Sequence, residues 1–189
     1  ATSKALKDLP FFQQIARLST LVRLPGLHAA LMTRELVEAM TSLAGGALHP
    51  SDTQLLLSLP HQGTWTLDGL NWHVDIAPTA RNRQPGIQAF VLIDDVAPRG
   101  GATLALAGSH RAEARRGAQA AQLRELLRTP TSRQGQLRDL GLAVVEMSGR
   151  SGDVFLMDLR VLHTPSINAT KDLRMMATAR YFLSDAGYA

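Results

Sequence analysis

Gly86-Ile87-Gln88-Ala89-Phe90-Val91-Leu92-Ile93-Asp94 and, after a Pro98-Arg99-Gly100-Gly101 turn, Ala102-Thr103-Leu104-Ala105-Leu106-Ala107 set the fold class. Each is a short apolar run bounded by turn residues, which reads as a buried strand rather than a helix. Working outward, the same texture recurs from about residue 50 onward. Residues 54–59, 66–75, 142–147, 153–157 and 174–183 join 86–94 and 102–107 as candidate strands. Many short strands punctuated by Gly and Pro argue for a sandwich or barrel, not for alternating βαβ units.

The N-terminal stretch reads differently. Pro10 can open a helix through Phe11, Phe12, Ile15 and Leu18, which Pro25-Gly26 breaks. Thr33 suits the N-cap of a helix over 34–43, with Leu36, Val37 and Met40 as its apolar stripe and Gly45-Gly46 as its stop. One further helix is expected near 111–128, with Leu123, Leu126 and Leu127 inward and Arg111, Arg115, Arg116, Arg124 and Arg128 solvated. There is no repeat or linker. A single domain over 1–189 is expected, with a helical flank at 1–48 and a mainly β core, jelly-roll or cupin-like, at 49–189.

The chain has 189 residues, enough for one well-buried domain and short for two. The formal charge of +4 comes from dispersed basic residues without a recognition motif, which argues against a nucleic-acid partner. No apolar run reaches the length of a membrane span, so no membrane partner is expected. Ala1-Thr2-Ser3-Lys4 does not open a signal peptide, and a cytoplasmic location is expected. With no Cys, any metal site falls to His, Asp and Glu.

Trp72-His73-Val74-Asp75 supplies an imidazole and a carboxylate two residues apart, and His163 a second imidazole far downstream. On a strand, residues i and i+2 face the same side, so His73 and Asp75 can enter one interior while Val74 points away. Two His and one carboxylate hold non-haem Fe(II) on one face and leave its other positions open. Arg174, eleven residues after His163, is a permanent cation where a dicarboxylate such as 2-oxoglutarate would need an anchor. The competing reading of each residue is plain: a core or surface His, a chance His-x-Asp, a salt bridge at a strand start. His28, His49 and His61 lack a carboxylate at ligand spacing, and His110 follows the Gly108-Ser109 turn, where a structural or capping role is favoured.

These residues resemble the phytanoyl-CoA dioxygenase family of Fe(II)/2-oxoglutarate oxygenases. The matching segments are Trp72 to Asp75, Asp94-Asp95-Val96, Gly100 to Leu104 with Gly108 to Arg111, Gly152-Asp153, and His163 through Asn168 to Arg174, over roughly residues 50–185. The resemblance implies a double-stranded β-helix buttressed by helices. It implies that His73, Asp75 and His163 bind Fe(II) and that Arg174 pairs with the distal carboxylate of 2-oxoglutarate, with O2 as co-reactant. Thr103 then looks like a hydroxyl available to the cosubstrate and Phe90 like an aromatic wall, although both also suit plain barrel core. Strand parity puts Met176 and Thr178 on the face of Arg174, and Arg180 too if the strand stays regular. Pro165 stands where the family often has a small or hydroxylated residue, so Ser166 or Thr103 is expected to substitute. The N-terminal flank is shorter than usual, which leaves lid contacts open.

The expected activity is hydroxylation of an unactivated C–H in a small organic metabolite, coupled to decarboxylation of 2-oxoglutarate to succinate. Asp75 favours this over chlorination, since the related halogenases have a small residue at that ligand position. The alternatives are a cupin-like isomerase or cosubstrate-independent dioxygenase using His110 with His73 and His163, and a non-catalytic ligand-binding barrel. His61, Gln62, Trp65 and Trp72 are candidates for the mouth of the site. Arg81 and Arg83 in the 78–85 tract are candidates to meet an anionic substrate, with solvated surface the safer reading.

Overall fold

Pro10 lacks an N–H and sits at the N-cap of α1 (Phe11–Leu21), where that donor would have had no partner. The computed structural model describes residues 6, 9–76, 84–111, 123, 125–127 and 133–184. After α1 the chain turns at Pro25-Gly26 into a single short turn, α2 (Leu27–Leu31). Thr33 caps α3 (Arg34–Ala44): its Oγ1 accepts the Leu36 N–H at 3.3 Å, and Gly45 ends the helix in the left-handed region at φ 69°. No described helix is long and apolar enough to cross a membrane.

Among the described residues seven strands follow: β1 (Leu48–Ser58), β2 (Gly86–Leu92), β3 (Thr103–Ala107), β4 (Ala143–Glu146), β5 (Val154–Asp158), β6 (His163–Pro165) and β7 (Arg174–Leu183). They form two antiparallel sheets, ordered β1-β7-β2-β5 and β4-β3-β6. Between the sheets lies a core of Phe90, Leu92, Ala105, Met147, Met157 and Met176. The outer face of the four-stranded sheet (Ile87, Ala89, Val91, Ala179, Tyr181) packs on Met32 and on Met40, which is fully buried, so α3 buttresses the fold from one side. Leu123, Leu126 and Leu137 cover Leu106 on the outer face of the smaller sheet. β2 is buried along its whole length, which explains why its sequence, Gln88 apart, is apolar instead of alternating. The fold is the mainly β, two-sheet arrangement expected from the sequence, with helices on the outside.

Three expectations change. Residues 66–75 do not form a strand. Only His73 pairs, in an isolated antiparallel bridge with His163, because Asp68, Gly69 and Asn71 suit turns and Asp75 lies in a bend. β6 and a helix, α4 (Arg133–Asp139), were not anticipated; Pro165 in one and Gly135 in the other mask them. Of the helix expected near 111–128, Leu123 and Glu125 to Leu127 are helical; Arg115, Arg116, Arg124 and Arg128 lie outside the described residues, as do Arg81 and Arg83.

Candidate metal centre and cavity

The His73–His163 bridge joins the loop before β2 to the edge of the smaller sheet. His73 N–H donates to His163 O at 3.0 Å, and His163 N–H returns the bond at 2.9 Å. The pairing brings the two imidazoles to a centroid distance of 4.4 Å. Each ring is aimed by main chain two residues upstream: His73 Nδ1 bonds Asn71 O at 2.9 Å and His163 Nδ1 bonds Val161 O at 3.0 Å. A carbonyl can only accept, so Nδ1 of each ring is the donor, and in the neutral imidazole the lone pair falls to Nε2. Burial is the main influence on His163, holding its pKa below 6.5 against the Val161 carbonyl and the Asp75 charge, which act the other way.

Asp75 Oδ2 lies 3.9 Å from His163 Nε2. One ligand atom from each of His73, Asp75 and His163 falls within 4.8 Å of the others, and this is the group of such residues among the described ones able to hold a metal ion. Two donors about 2.1 Å from a shared ion stand no more than about 4.2 Å apart. The set therefore fits a single ion after a side-chain adjustment of under an ångström. His110 does not belong to it. His28 is bonded to Thr53 and Tyr181 instead, His49 to Ser184, and His61 is exposed.

The site opens onto a cavity of about 670 Å³. β7 sends Arg174, Thr178 and Arg180 into it, in line with the expected parity, while Met176 is fully buried in the core. Phe90 and Thr103 also line it; Thr103 Oγ1 donates to Met176 Sδ at 3.6 Å. Ser166 does not replace the hydroxyl lost at Pro165. It is fully buried with its Oγ donating to Ala102 O at 2.7 Å, while Pro165 itself lines the cavity. Trp65, Trp72, His61 and Gln62 are not in the wall. Trp72 packs with the outer cluster around Leu106, Arg99 stacks over Trp65, and Gln62 hydrogen-bonds Ser58 and Asn168. The outer wall is α1 and the turn after it, through Phe12, Ile15, Ser19, Leu24 and Leu27. The apolar stripe of α1 was legible, but its partner was not.

Arg174 is 3% exposed. Its Nε donates to Gly101 O at 2.8 Å and its Nη1 to Leu56 O at 2.9 Å, and no described carboxylate pairs with it. Desolvation lowers its pKa to about 10. Gly101 can approach so closely because it has no side chain: its φ is 77°, and a Cβ would stand 2.6 Å from Ser58 Oγ and 2.8 Å from Asn168 Cβ. Two features escaped the sequence reading. Arg180 grips Asp75, with Nε to Oδ2 at 2.9 Å and Nη2 to Oδ1 at 3.1 Å. Gln88, 2% exposed, donates to Thr178 Oγ1 at 2.9 Å but leaves its Oε1 without a hydrogen bond.

No curated protein sequence matches the chain. Among solved structures it resembles SnoK, a non-heme alpha ketoglutarate dependent carbocyclase from nogalamycin biosynthesis, with TM-score 0.59 and 21% identity over 85% of this chain and 60% of that one. EctD from S. alaskensis with bound Fe gives TM-score 0.59 and 18% identity over 84% and 53%. AviO1 from Streptomyces viridochromogenes Tue57 gives 0.57 and 20% over 97% and 67%. The chain spans 32% of the length of another structural relative, EvdMO1. At these identities the likeness establishes the fold. The model of the family described as phytanoyl-CoA dioxygenase (PhyH) matches residues 12–176, most of the chain. The chain belongs to the phytanoyl-CoA dioxygenase family.

Proposed function

We propose that this chain is an Fe(II)- and 2-oxoglutarate-dependent dioxygenase that hydroxylates an unactivated C–H bond of a small organic metabolite. The observation that carries the reading is Arg174, a buried cation facing the cavity that holds His73 and His163, with only carbonyls as partners. An unpaired buried charge is costly, and a guanidinium fork fits a carboxylate in two parallel hydrogen bonds. Both N–H groups of its Nη2 and the second N–H of its Nη1 make neither of those carbonyl bonds and are the donors left for the distal carboxylate of 2-oxoglutarate.

His73, Asp75 and His163 would hold the iron, whose two neutral imidazoles and one carboxylate are the donor set for Fe(II) with positions left open. Iron with 2-oxoglutarate and O2 supplies C–H oxidation coupled to decarboxylation to succinate. The chain's own contribution is positional. Carbonyls of Asn71 and Val161 fix the tautomers, Arg174 orients the dicarboxylate, Phe90 and Thr103 line its path, and α1 shields the cavity from water.

The test is anaerobic addition of Fe(II) and 2-oxoglutarate to the protein. A visible charge-transfer band that vanishes in Asp75→Ala and weakens in Arg174→Ala is expected, followed by O2-dependent succinate formation over a metabolite panel. Metal binding insensitive to Asp75 but abolished by His110→Ala would favour the cupin-like alternative instead. A protein that binds neither metal nor 2-oxoglutarate would favour a non-catalytic barrel.

A further inference from the structure

Arg174 and Arg180 lie on one strand and one face, six residues apart, yet the structure treats them differently. Arg174 has no described acidic partner, whereas Arg180 is committed to Asp75 through two parallel hydrogen bonds, one to each carboxylate oxygen. This is the fork-on-fork geometry that fixes a carboxylate in plane as well as in place. The side chain of Asp75 is 11% exposed and that of Arg180 33%, so the pair is partly shielded from water.

The surroundings sharpen the point. Gln88 stands directly opposite Arg180 in the β2–β7 ladder. Thr178 Oγ1 donates to Ala89 O, so it accepts from the Gln88 amide, and the Gln88 oxygen is left as an acceptor without a hydrogen bond. The guanidinium thus reaches past an unmet neutral acceptor on the next strand to hold a carboxylate on a distant loop. Asp75 needs that hold. Both imidazoles are oriented by main-chain carbonyls, but Asp75 lies in a bend outside any ladder, and among the described residues no backbone N–H aims its carboxylate. Each of the three donors therefore has one orienting partner: Asn71 O, Val161 O, and the side chain of Arg180.

We propose that Arg180 is a positioning residue that orients Asp75 towards His73 and His163 for metal binding; this rests on the proposed function. Its charge also balances that of Asp75, so the two side chains together carry no net charge before an ion arrives. The cosubstrate dianion then meets a centre that keeps the ion's full charge. Partners of metal-ligating groups matter typically about 10- to 100-fold in metal affinity.

The experiment titrates Co(II), a spectroscopically visible and air-stable stand-in for Fe(II), into the metal-free chain. Wild type, Asp75→Ala, Arg180→Met and Arg180→Lys are compared, with circular dichroism and thermal melting of each metal-free variant. Arg180→Met is expected to weaken Co(II) binding about 10-fold or more and to change the visible Co(II) spectrum, with part of the affinity restored in Arg180→Lys. If Arg180→Met does not fold, Arg180→Lys decides alone: it keeps the charge but loses the fork, and a changed Co(II) spectrum is expected. Affinity that is unchanged or tighter in Arg180→Met, or a wild-type spectrum in Arg180→Lys, overturns the inference while leaving an Asp75-dependent metal site standing. Wild-type protein that binds no Co(II) at all overturns the metal reading and this inference with it.

Discussion

His73 and His163 exchange both of their backbone hydrogen bonds although they are ninety residues apart in the chain. The bridge uses only main chain, so truncating a ring leaves it in place and removes just the imidazole. A divalent ion bound at a hundred times its dissociation constant stabilises the folded state by about 2.7 kcal/mol. For a chain of this size that raises the melting temperature by roughly 5–10 °C. Differential scanning fluorimetry with Co(II) is expected to show this shift in wild type and to lose it in His73→Ala and His163→Ala.

Arg174→Met should weaken cosubstrate binding without touching the metal. Losing a buried, two-pronged partner for a carboxylate costs about 2–5 kcal/mol, roughly 30- to 4,000-fold in affinity. Calorimetric titration of 2-oxoglutarate into the metal-loaded protein measures it. Arg174→Lys keeps the charge but not the fork and should fall between the two. Equal 2-oxoglutarate affinity in wild type and Arg174→Met would remove the anchor assignment.

Gly101 sets the acceptor for Arg174 Nε, and its substitution should be felt twice. In Gly101→Ala the left-handed backbone is strained and the new Cβ meets Ser58 and Asn168. A non-glycine residue in that region costs about 1–3 kcal/mol before any clash. Urea denaturation should show a loss of about that size or more, and 2-oxoglutarate affinity should fall with it as the Gly101 carbonyl shifts.

Acidification should weaken the metal-free fold. Burial depresses the His163 pKa in the folded state below its ordinary value of 6.5. Between the two values the unfolded chain binds more protons than the folded one, so stability rises with pH across that window. As pH falls from about 7 through 6.5, stability declines until the folded-state value is passed, after which this contribution is flat. The check is the pH dependence of urea midpoints for wild type and His163→Gln. The variant should lose the part of the slope that belongs to this ring.

Much of this arrangement was legible because it depends on local chemistry. β7 begins and ends where its apolar and β-branched run predicts, Thr33 caps α3, and His-x-Asp with a distant His converges as the spacing suggests. The convergence has a different cause from the expected one. One backbone bridge and a bend bring His73 and Asp75 to His163, in place of a regular strand over 66–75. What could not be read are pairings across long separations. Nothing near Asp75 announces that a residue 105 positions on will grip it. Nor does α1 reveal that its apolar face closes a cavity, since any amphipathic helix presents the same stripe to any core. The Trp65 and Trp72 rings suggested a mouth because aromatic residues near a ligand draw the eye, yet both serve packing away from it.

The two imidazoles take their aim from peptide carbonyls at Asn71 and Val161, and no side chain intervenes. Substitutions around the cavity can therefore reshape what enters it without changing which nitrogen of each ring faces its carbonyl or how the ring is turned. Such a division lets specificity drift while the two Nε2 atoms stay fixed, and it makes Asp75, held by a replaceable side chain, a corner of the candidate centre through which its properties can be retuned.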